Sequence, residues 1–135
     1  MNMIHRAALA LATVILAACG GMYGMDTASS GMNGAPAMAR DGVLTDSAGM
    51  TLYVFDRDPA DASKSACNGP CAANWPPLMA SAGARPSGDW AVVTRDDGSK
   101  QWAYKGKPLY LWIKDTKPGE RTGDGVNNVW HVARP

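Results

Sequence analysis

Short apolar runs separated by turn-forming residues fill the chain from residue 42 onward. These runs are rich in Val, Leu and aromatic residues, which favours β-strands, and they cover residues 43–46, 51–55, 90–94, 101–104, 109–112 and 129–132. Turn signals at 47–49, 96–99 and 105–106 predict tight connections. Pro and Gly interrupt every longer helical period, so one helical turn is predicted, near Cys71 to Trp75. The pattern predicts a mainly β, small antiparallel domain of about six strands with that helical turn.

Two of the predicted strands share an alternation of aromatic and aliphatic side chains. In 51–55, Tyr53 and Phe55 lie on one face, with Leu52 and Val54 on the other. The strand at 109–113 places Tyr110 and Trp112 opposite Leu109, Leu111 and Ile113. Because both faces are apolar, both strands are predicted to be buried on two sides, with their aromatic residues in the core. An aromatic groove that binds an apolar or planar ligand is the alternative.

The two strands belong to an internal repeat, since residues 49–58 match residues 106–115 at a constant offset of 57. Both copies spell Tyr-x-aromatic-x-x-Asp. The two repeats, about 42–78 and 97–134, are hairpin-type units and are predicted to complete each other's core. The motif residues are predicted to be structural, and they are Tyr53, Phe55, Asp58, Trp75, Tyr110, Trp112, Asp115 and Trp130.

Asp58 and Asp115 end their strands, and we expect each to accept backbone N–H bonds in the turn that follows it. They are expected to serve separate hairpins, which argues against an active site built on paired carboxylates. The mixed charges at 56–58 and 95–100 are predicted to be solvated turns. The sequence contains no nucleophile elbow, phosphate-binding loop or metalloprotease helix, so we predict no catalytic residues and no enzyme.

The N-terminus has the composition of a lipoprotein signal peptide. Its uncharged stretch at 7–18 has 12 residues, fewer than the roughly 20 that span a bilayer. Leu16-Ala17-Ala18-Cys19 looks like a bacterial lipobox, which predicts that residues 1–18 are removed and that Cys19 carries acyl chains, palmitate among them. Gly20 rather than Asp follows the cysteine, which indicates an outer-membrane anchor facing the periplasm if the cell is Gram-negative. An ordinary secretory signal with a chance cysteine is the alternative.

Residues 19–40 are predicted to form the lipidated cysteine and a flexible tether, ahead of a folded domain at 41–135. The tether is rich in Gly, Ser and Met and has no Ile, Leu or Val, so it lacks the apolar surface needed to fold. Its methionines are Met22, Met25, Met32 and Met38. Because thioethers are soft ligands that favour Cu(I), copper binding by this segment is an alternative to chance composition.

The charge balance of the chain limits its binding partners, and its cysteine content predicts a disulfide. The chain has 13 Lys and Arg residues against 12 Asp and Glu and shows no basic stripe, which argues against nucleic acid. Cys67 and Cys71 form an even pair outside the cytosol and flank a turn-forming Asn-Gly-Pro, which predicts a structural disulfide. A redox-active pair and a metal site stay open as alternatives, although His131 is the only histidine left for a metal after processing.

The two motif copies, together with Cys67-Asn-Gly-Pro-Cys71, Trp75-Pro-Pro-Leu and Gly106-Lys-Pro-Leu-Tyr110, resemble a family of bacterial lipoproteins. That family is named for the Tyr-x-aromatic-x-x-Asp motif and is also known as a secreted repeat of unknown function. The resemblance covers about residues 42–134. It implies a β-rich, extracytoplasmic lipoprotein and transfers no catalytic residue.

These observations predict a non-enzymatic lipoprotein of the bacterial cell envelope. Its lipid would hold it on the membrane, and its domain would bind an unknown envelope protein or small ligand without a cofactor. The alternative is an accessory protein linked to copper or redox chemistry, which would use Cu(I) on the tether methionines or the Cys67 and Cys71 pair.

Overall fold

Seven short β-strands and one helical turn make up the part of the chain that the computed structural model describes, residues 36–135. The strands are β1 Met38–Arg40, β2 Val43–Thr45, β3 Tyr53–Phe55, β4 Trp90–Thr94, β5 Lys100–Tyr104, β6 Lys107–Pro108 and β7 Trp130–Val132; the helix α1 is Pro70–Asn74, and a 3-10 turn covers Val126–Asn128. The strands form three antiparallel sheets, ordered β1-β2, β3-β7 and β4-β5-β6. The predicted class, mainly antiparallel β with one helical turn, is confirmed.

Two hairpins close through turns whose two central residues both have positive φ, which is typical of type I′ turns. Lys105 and Gly106, with φ of 49° and 82°, join β5 to β6 where the sequence predicts a turn. Asp41 and Gly42, with φ of 51° and 79°, join β1 to β2 in the same way. Both hairpins therefore have turn residues suited to the right-handed twist of their strands.

β1 lies inside the segment predicted to be a tether. The sequence places the boundary after residue 40, yet Met38 pairs with Thr45 across the first hairpin. All three side chains of β1 are exposed, so no apolar pattern marks the strand, and pairing of its backbone with β2 holds it. Met38 is 50% exposed. The other predicted features of the N-terminal segment lie outside the described residues, and they are the signal peptide, Cys19, Met22, Met25 and Met32.

The two motif segments pair across the repeats, but only the first forms a strand. The strand predicted at 109–112 is absent, and Tyr110 makes isolated bridges there instead. The hairpin predicted between 43–46 and 51–55 forms at its base, where Leu52 donates its N–H to the Leu44 carbonyl at 2.9 Å. Beyond that point β3 pairs with β7, the last strand of the second repeat. In the second copy, the Leu111 N–H donates to the Pro76 carbonyl of the first repeat at 2.7 Å. Each repeat therefore extends the other.

The two repeats meet at their tyrosines. The Tyr53 N–H donates to the Tyr110 carbonyl at 2.8 Å, and the Tyr110 N–H returns a bond to the Tyr53 carbonyl at 2.9 Å. In this reciprocal pair each tyrosine makes the same bond to the other, as expected for two halves related by a pseudo-two-fold axis. It fixes where each motif side chain lies relative to the other repeat.

The predicted alternation separates two apolar clusters. Tyr53 and Tyr110 belong to an aromatic cluster, whereas Leu52 and Leu109 are fully buried in an aliphatic one. Ile113 differs from the prediction, because it is 51% exposed. The chain turns there, with the Asp115 N–H bonded to the Trp112 carbonyl, so Ile113 no longer follows the strand. Within residues 36–135, no helix has both the length and the apolar composition needed to cross a membrane.

Candidate functional site

The tyrosine and the aspartate of each motif copy bind across the repeats. The Tyr53 hydroxyl donates to Asp115 Oδ2 at 2.5 Å, and the Tyr110 hydroxyl donates to Asp58 Oδ2 at 2.6 Å. The expectation that the two acids serve separate hairpins is therefore wrong, since each acid accepts from the other repeat's tyrosine. The backbone bridge between the two tyrosines is consistent with this exchange, because it sets the two motif segments side by side in opposite directions.

Each acid also accepts a backbone N–H from the loop that follows it, as expected. Asp58 Oδ1 accepts from the Ala66 N–H at 2.6 Å. Asp115 Oδ1 accepts from the Thr122 N–H at 3.0 Å and from the Thr122 hydroxyl at 2.5 Å. The tyrosine partners of the two acids were not predicted from the sequence pattern. The one signal that could have shown them is that Tyr and Asp recur together at the same spacing in both copies.

Burial sets the protonation of these groups. Desolvation, reinforced by the hydrogen bond to a carboxylate, raises the pKa of Tyr53 and of Tyr110 far above the usual 10, so both hydroxyls stay protonated donors. Desolvation also raises the pKa of Asp58 above its usual 3.8, against the bonds from Tyr110 and Ala66 and the charge of Arg95. The first repeat thus holds a carboxylate at an electrostatic cost.

Four aromatic rings stack in alternating order from the two repeats. Phe55 lies on Trp130 with centroids 4.3 Å apart, Trp130 on Trp75 at 3.8 Å, and Trp75 on Trp112 at 3.9 Å. The interplanar angles of the three pairs are 12°, 4° and 25°. Offset-stacked pairs of this kind contribute about 0.5–1.5 kcal/mol each beyond their buried area. The stack is therefore a second connection between the repeats, built from the aromatic positions of the motif.

The loop at Gly123 packs directly against this stack. A Cβ at Gly123 would lie 2.8 Å from the Trp75 ring and 3.0 Å from the Tyr53 ring, so no larger residue fits. The Gly123 N–H donates to the Tyr53 hydroxyl at 3.2 Å. The Tyr53 oxygen is therefore both a donor to Asp115 and an acceptor from this loop.

A buried arginine breaks the symmetry of the two repeats. Arg95 is only 5% exposed, so the prediction that it lies in a solvated turn is wrong. Its guanidinium donates to Ser65 Oγ at 2.9 Å, to Gln101 Oε1 at 2.7 Å and to the Cys67 carbonyl. Ser65 Oγ also shares a 2.6 Å hydrogen bond with the Tyr110 hydroxyl. A continuous polar chain therefore runs from Arg95 through Ser65 and Tyr110 to Asp58.

Cys67 and Cys71 form the predicted disulfide, with an S–S distance of 2.06 Å and Cα atoms 5.2 Å apart. The bond closes the loop that leads into α1, where Pro70 begins the helix and Gly69 adopts a positive φ of 55°. Cys67 is fully buried, whereas Cys71 is partly exposed. The disulfide thus constrains the short segment from Cys67, whose carbonyl accepts from Arg95, to α1, the helix just before Trp75.

An open cleft of about 480 Å³ lies beside the stack and the disulfide. Its lining consists of Phe55, Arg57, Ala66, Cys71, Asn74, Trp75, Asn127, Val129 and Trp130. The polar side chains Arg57, Asn74 and Asn127 are exposed there, whereas Trp75 and Trp130 are almost fully buried. Asn127 and its neighbour Asn128 both have positive φ, of 52° and 58°, a conformation that Asn tolerates better than most residues. The exposed surface of the cleft is therefore mainly polar, and Phe55 is its partly exposed aromatic ring.

Within residues 36–135, no group of three or more His, Cys, Asp or Glu side chains is placed to hold a metal ion. The His131 imidazole lies 2.8 Å from the Asp56 carboxylate in an exposed pair. Asp58 and Asp115 therefore accept hydrogen bonds from tyrosines, and His131 pairs with Asp56 at the surface.

Comparison with protein families gives one result. A family described as a secreted repeat of unknown function matches the chain twice, over residues 35–79 and 91–134. Each matched segment contains one copy of the Tyr-x-aromatic-x-x-Asp motif. Neither the curated proteins nor the solved structures gave a match. The two matches cover most of the chain, which therefore belongs to this family of secreted repeats of unknown function.

Proposed function

We propose that the chain is a non-enzymatic lipoprotein of the bacterial envelope whose β domain binds a small ligand in the cleft beside Trp75 and Trp130. The observation that carries the proposal is the cleft itself, with about 480 Å³ of space beside an aromatic stack. Concave sites lined by aromatic surface with a few placed polar groups are typical of ligand pockets. Membership of a secreted family supports a location in the envelope or outside the cell.

The lining selects the chemistry of the ligand. Phe55 is the terminal ring of the stack and is partly exposed, so it offers apolar surface. Arg57 supplies a cation, and the amides of Asn74 and Asn127 can donate and accept hydrogen bonds. The lining contains no Asp or Glu. A planar ligand that carries a carboxylate or carbonyl oxygens matches these groups.

The hydrogen bonds that Asp58 and Asp115 accept favour a binding function over catalysis. Asp58 and Asp115 each accept from a tyrosine and from a following loop, and both tyrosines stay protonated. A general base must be free to take a proton from its substrate. Carboxylates whose acceptor positions are already used by structural donors suit a rigid framework for the cleft. A preorganised framework lowers the entropic cost of binding.

The proposal is tested by tryptophan fluorescence of the purified full chain carrying Cys19→Ser, titrated with aromatic carboxylates such as indole-3-carboxylate. Saturable quenching is expected, because Trp75 and Trp130 line the cleft. Arg57→Gln should weaken binding about tenfold, equivalent to about 1.4 kcal/mol. Arg85→Gln, at another exposed arginine outside the lining, is the matched control and should not change it. Absence of saturable quenching, or equal effects of both variants, would overturn the proposal.

The anchor is tested separately, by fractionating cells that express the native chain or Cys19→Ser. The proposal expects the native chain in the membrane fraction with the mass of an acylated Cys19, and the variant in the soluble envelope fraction. Equal distribution of both forms would show that Cys19 is not the anchor.

Copper binding by the tether methionines is the second candidate function. The observation that favours it is the exposure of Met38, a residue of β1 with half of its surface in solvent. Replacing Met22, Met25, Met32 and Met38 by Leu should abolish submicromolar Cu(I) affinity, measured by competition with a chromophoric chelator. Unchanged affinity would rule out the methionines as ligands.

A further inference from the structure

A second cavity lies beside β3, and four of its lining residues belong to the aliphatic cluster or pack against it. Its volume is about 260 Å³. Its apolar lining is Val54, Tyr104, Leu109, Val132 and Ala133, and its remaining lining residues are Lys105, Lys107 and Arg134. Leu109 belongs to the aliphatic cluster and Val54 packs against it, so this cavity lies beside the aliphatic cluster.

The three cations at this cavity have no carboxylate partner in the described part of the chain. The two ion pairs within residues 36–135 join Lys64 to Asp96 and His131 to Asp56, and neither involves these three cations. Arg134 donates to the Gly42 carbonyl at 3.2 Å, and the Lys105 ammonium lies 5.3 Å from the centroid of the Tyr104 ring. All three side chains are exposed, so their charges remain available to a ligand.

The turn that carries the two lysines packs closely against the backbone at Ala60. Lys105 and Lys107 flank Gly106, whose missing side chain lets the turn approach Ala60 so closely that a Cβ would lie 1.9 Å from the Ala60 carbonyl oxygen. The Gly106 carbonyl also accepts from the Ala62 N–H at 2.9 Å. The backbone under both cations is therefore fixed before any ligand arrives.

The near-neutral net charge of the chain does not explain why three cationic side chains lie at this cavity. The chain has a formal net charge of +1, yet three cations and no acid line one small apolar cavity. Cations over an apolar cavity complement a molecule with an apolar chain and one anionic end. Burial of the apolar chain favours binding, and the cations supply electrostatic selection for the head group.

We propose that this cavity binds a single-chain anionic amphiphile, with the alkyl chain on Val54 and Tyr104 and a carboxylate or phosphate head between Lys105, Lys107 and Arg134. The site is separate from the aromatic cleft, since the two linings share no residue. The proposal does not depend on the function proposed for that cleft.

The test uses isothermal titration of the full chain carrying Cys19→Ser with decanoate and decyl phosphate below their micelle concentrations. Decanol tests the need for charge, and acetate tests the need for a chain. Saturable binding of an anionic decyl compound is expected, at least tenfold tighter than binding of decanol or acetate. Decanoate and decyl phosphate together show which head group is preferred.

Two sets of variants locate the binding. Lys105→Gln, Lys107→Gln and Arg134→Gln combined should weaken decanoate binding at least tenfold. The matched control combines Lys64→Gln, Lys117→Gln and Arg85→Gln, which removes the same charge from exposed positions outside the cavity. Because all six positions are exposed, both triple variants should fold, and circular dichroism checks this.

Four results of the titrations would overturn the proposal. They are no binding of either anionic decyl compound, equal binding of decanol, equal losses in the two triple variants, and loss of decanoate binding in Arg57→Gln. The last result would place the amphiphile in the aromatic cleft instead. Sedimentation with phosphatidylglycerol vesicles without any binding of monomeric decyl compounds would indicate a membrane-surface contact and would also overturn it.

Discussion

Tyr53 donates its hydroxyl to Asp115 at 2.5 Å although 62 residues separate them. Tyr110 makes the equivalent bond to Asp58 at 2.6 Å. Neither repeat satisfies its own tyrosine, so each depends on the other for a buried hydrogen bond. The motif is therefore a connection between two copies rather than a feature of one, and a single copy would leave its tyrosine and its aspartate without these partners.

Tyr53→Phe should lower the free energy of unfolding by about 2–3 kcal/mol. The change removes the donor to Asp115, which is 7% exposed, and the acceptor for the Gly123 N–H. Urea denaturation followed by fluorescence measures the loss. Tyr104→Phe is the control, since the Tyr104 hydroxyl has no hydrogen bond within residues 36–135, and it should change stability by less than about 0.5 kcal/mol. Equal losses in the two variants would contradict the proposed role of the Tyr53 bond.

Double-mutant cycles should show that coupling runs across the repeats. Tyr53→Phe combined with Asp115→Asn should give an interaction energy of about 1–3 kcal/mol, because the two side chains share one buried bond. Tyr53→Phe combined with Asp58→Asn should give a smaller value, since those residues share no hydrogen bond. A larger coupling within a repeat than across the repeats would refute the exchange.

Local pattern was enough to predict much of this fold. The alternation in 51–55 correctly places Tyr53 and Leu52 on opposite faces, because side-chain direction in a strand follows a period of two. The turn at Lys105 and Gly106 was equally clear, since few residue pairs suit two positive φ values. These features depend on neighbours in sequence, so sequence alone reveals them.

Features that depend on distant residues were missed. Arg95 stands beside two aspartates and looks solvated in the sequence, yet Ser65, 30 residues earlier, accepts from it in the interior. β1 has three exposed side chains and is defined by its pairing with β2. The tyrosine–aspartate exchange depends on which strands lie side by side. No local periodicity encodes that choice.

The ionisation of Asp58 should make the protein less stable as pH rises. Its pKa is raised above 3.8 by burial, so the folded state holds the proton more tightly than the unfolded state does. The contribution to stability is present below pH 3.8 and is lost as pH rises through the higher folded-state pKa. Titration of the Asp58 carboxyl carbon by NMR should give a midpoint above 3.8, and a midpoint at or below that value would contradict the prediction.

The same prediction can be checked through stability. Asp61, Asp97 and Glu120 have pKa values lowered by hydrogen bonds from nearby hydroxyl and backbone groups, so their effect has the opposite sign and is lost on acidification. The pH profile of the whole protein therefore mixes both signs. The difference in free energy of unfolding between wild type and Asp58→Asn isolates the contribution of Asp58. As pH rises from 3 to 7, wild type should lose stability relative to Asp58→Asn.

Reduction of the Cys67–Cys71 bond should lower the free energy of unfolding by about 2 kcal/mol on the chain-entropy estimate for its short loop. Urea denaturation with and without a phosphine reductant measures this loss. The Cys67→Ala, Cys71→Ala double variant is the control and should not respond to reductant. A wild-type stability that is unaffected by complete reduction, verified by thiol labelling, would contradict a stabilising role.

Alanine at Gly106 should destabilise the fold far more than alanine at Gly98. Both glycines sit in tight turns with similar positive φ, 82° and 86°, so both substitutions bring about 1–2 kcal/mol of left-handed strain. Only at Gly106 would the new Cβ collide with backbone, 1.9 Å from the Ala60 carbonyl oxygen, whereas nothing lies within 4 Å at Gly98. The collision should add about 1–3 kcal/mol, because backbone on both sides must shift to make room. Thermal and urea denaturation of the two variants measure the difference, and equal losses would mean that the turn does not pack against Ala60 in solution.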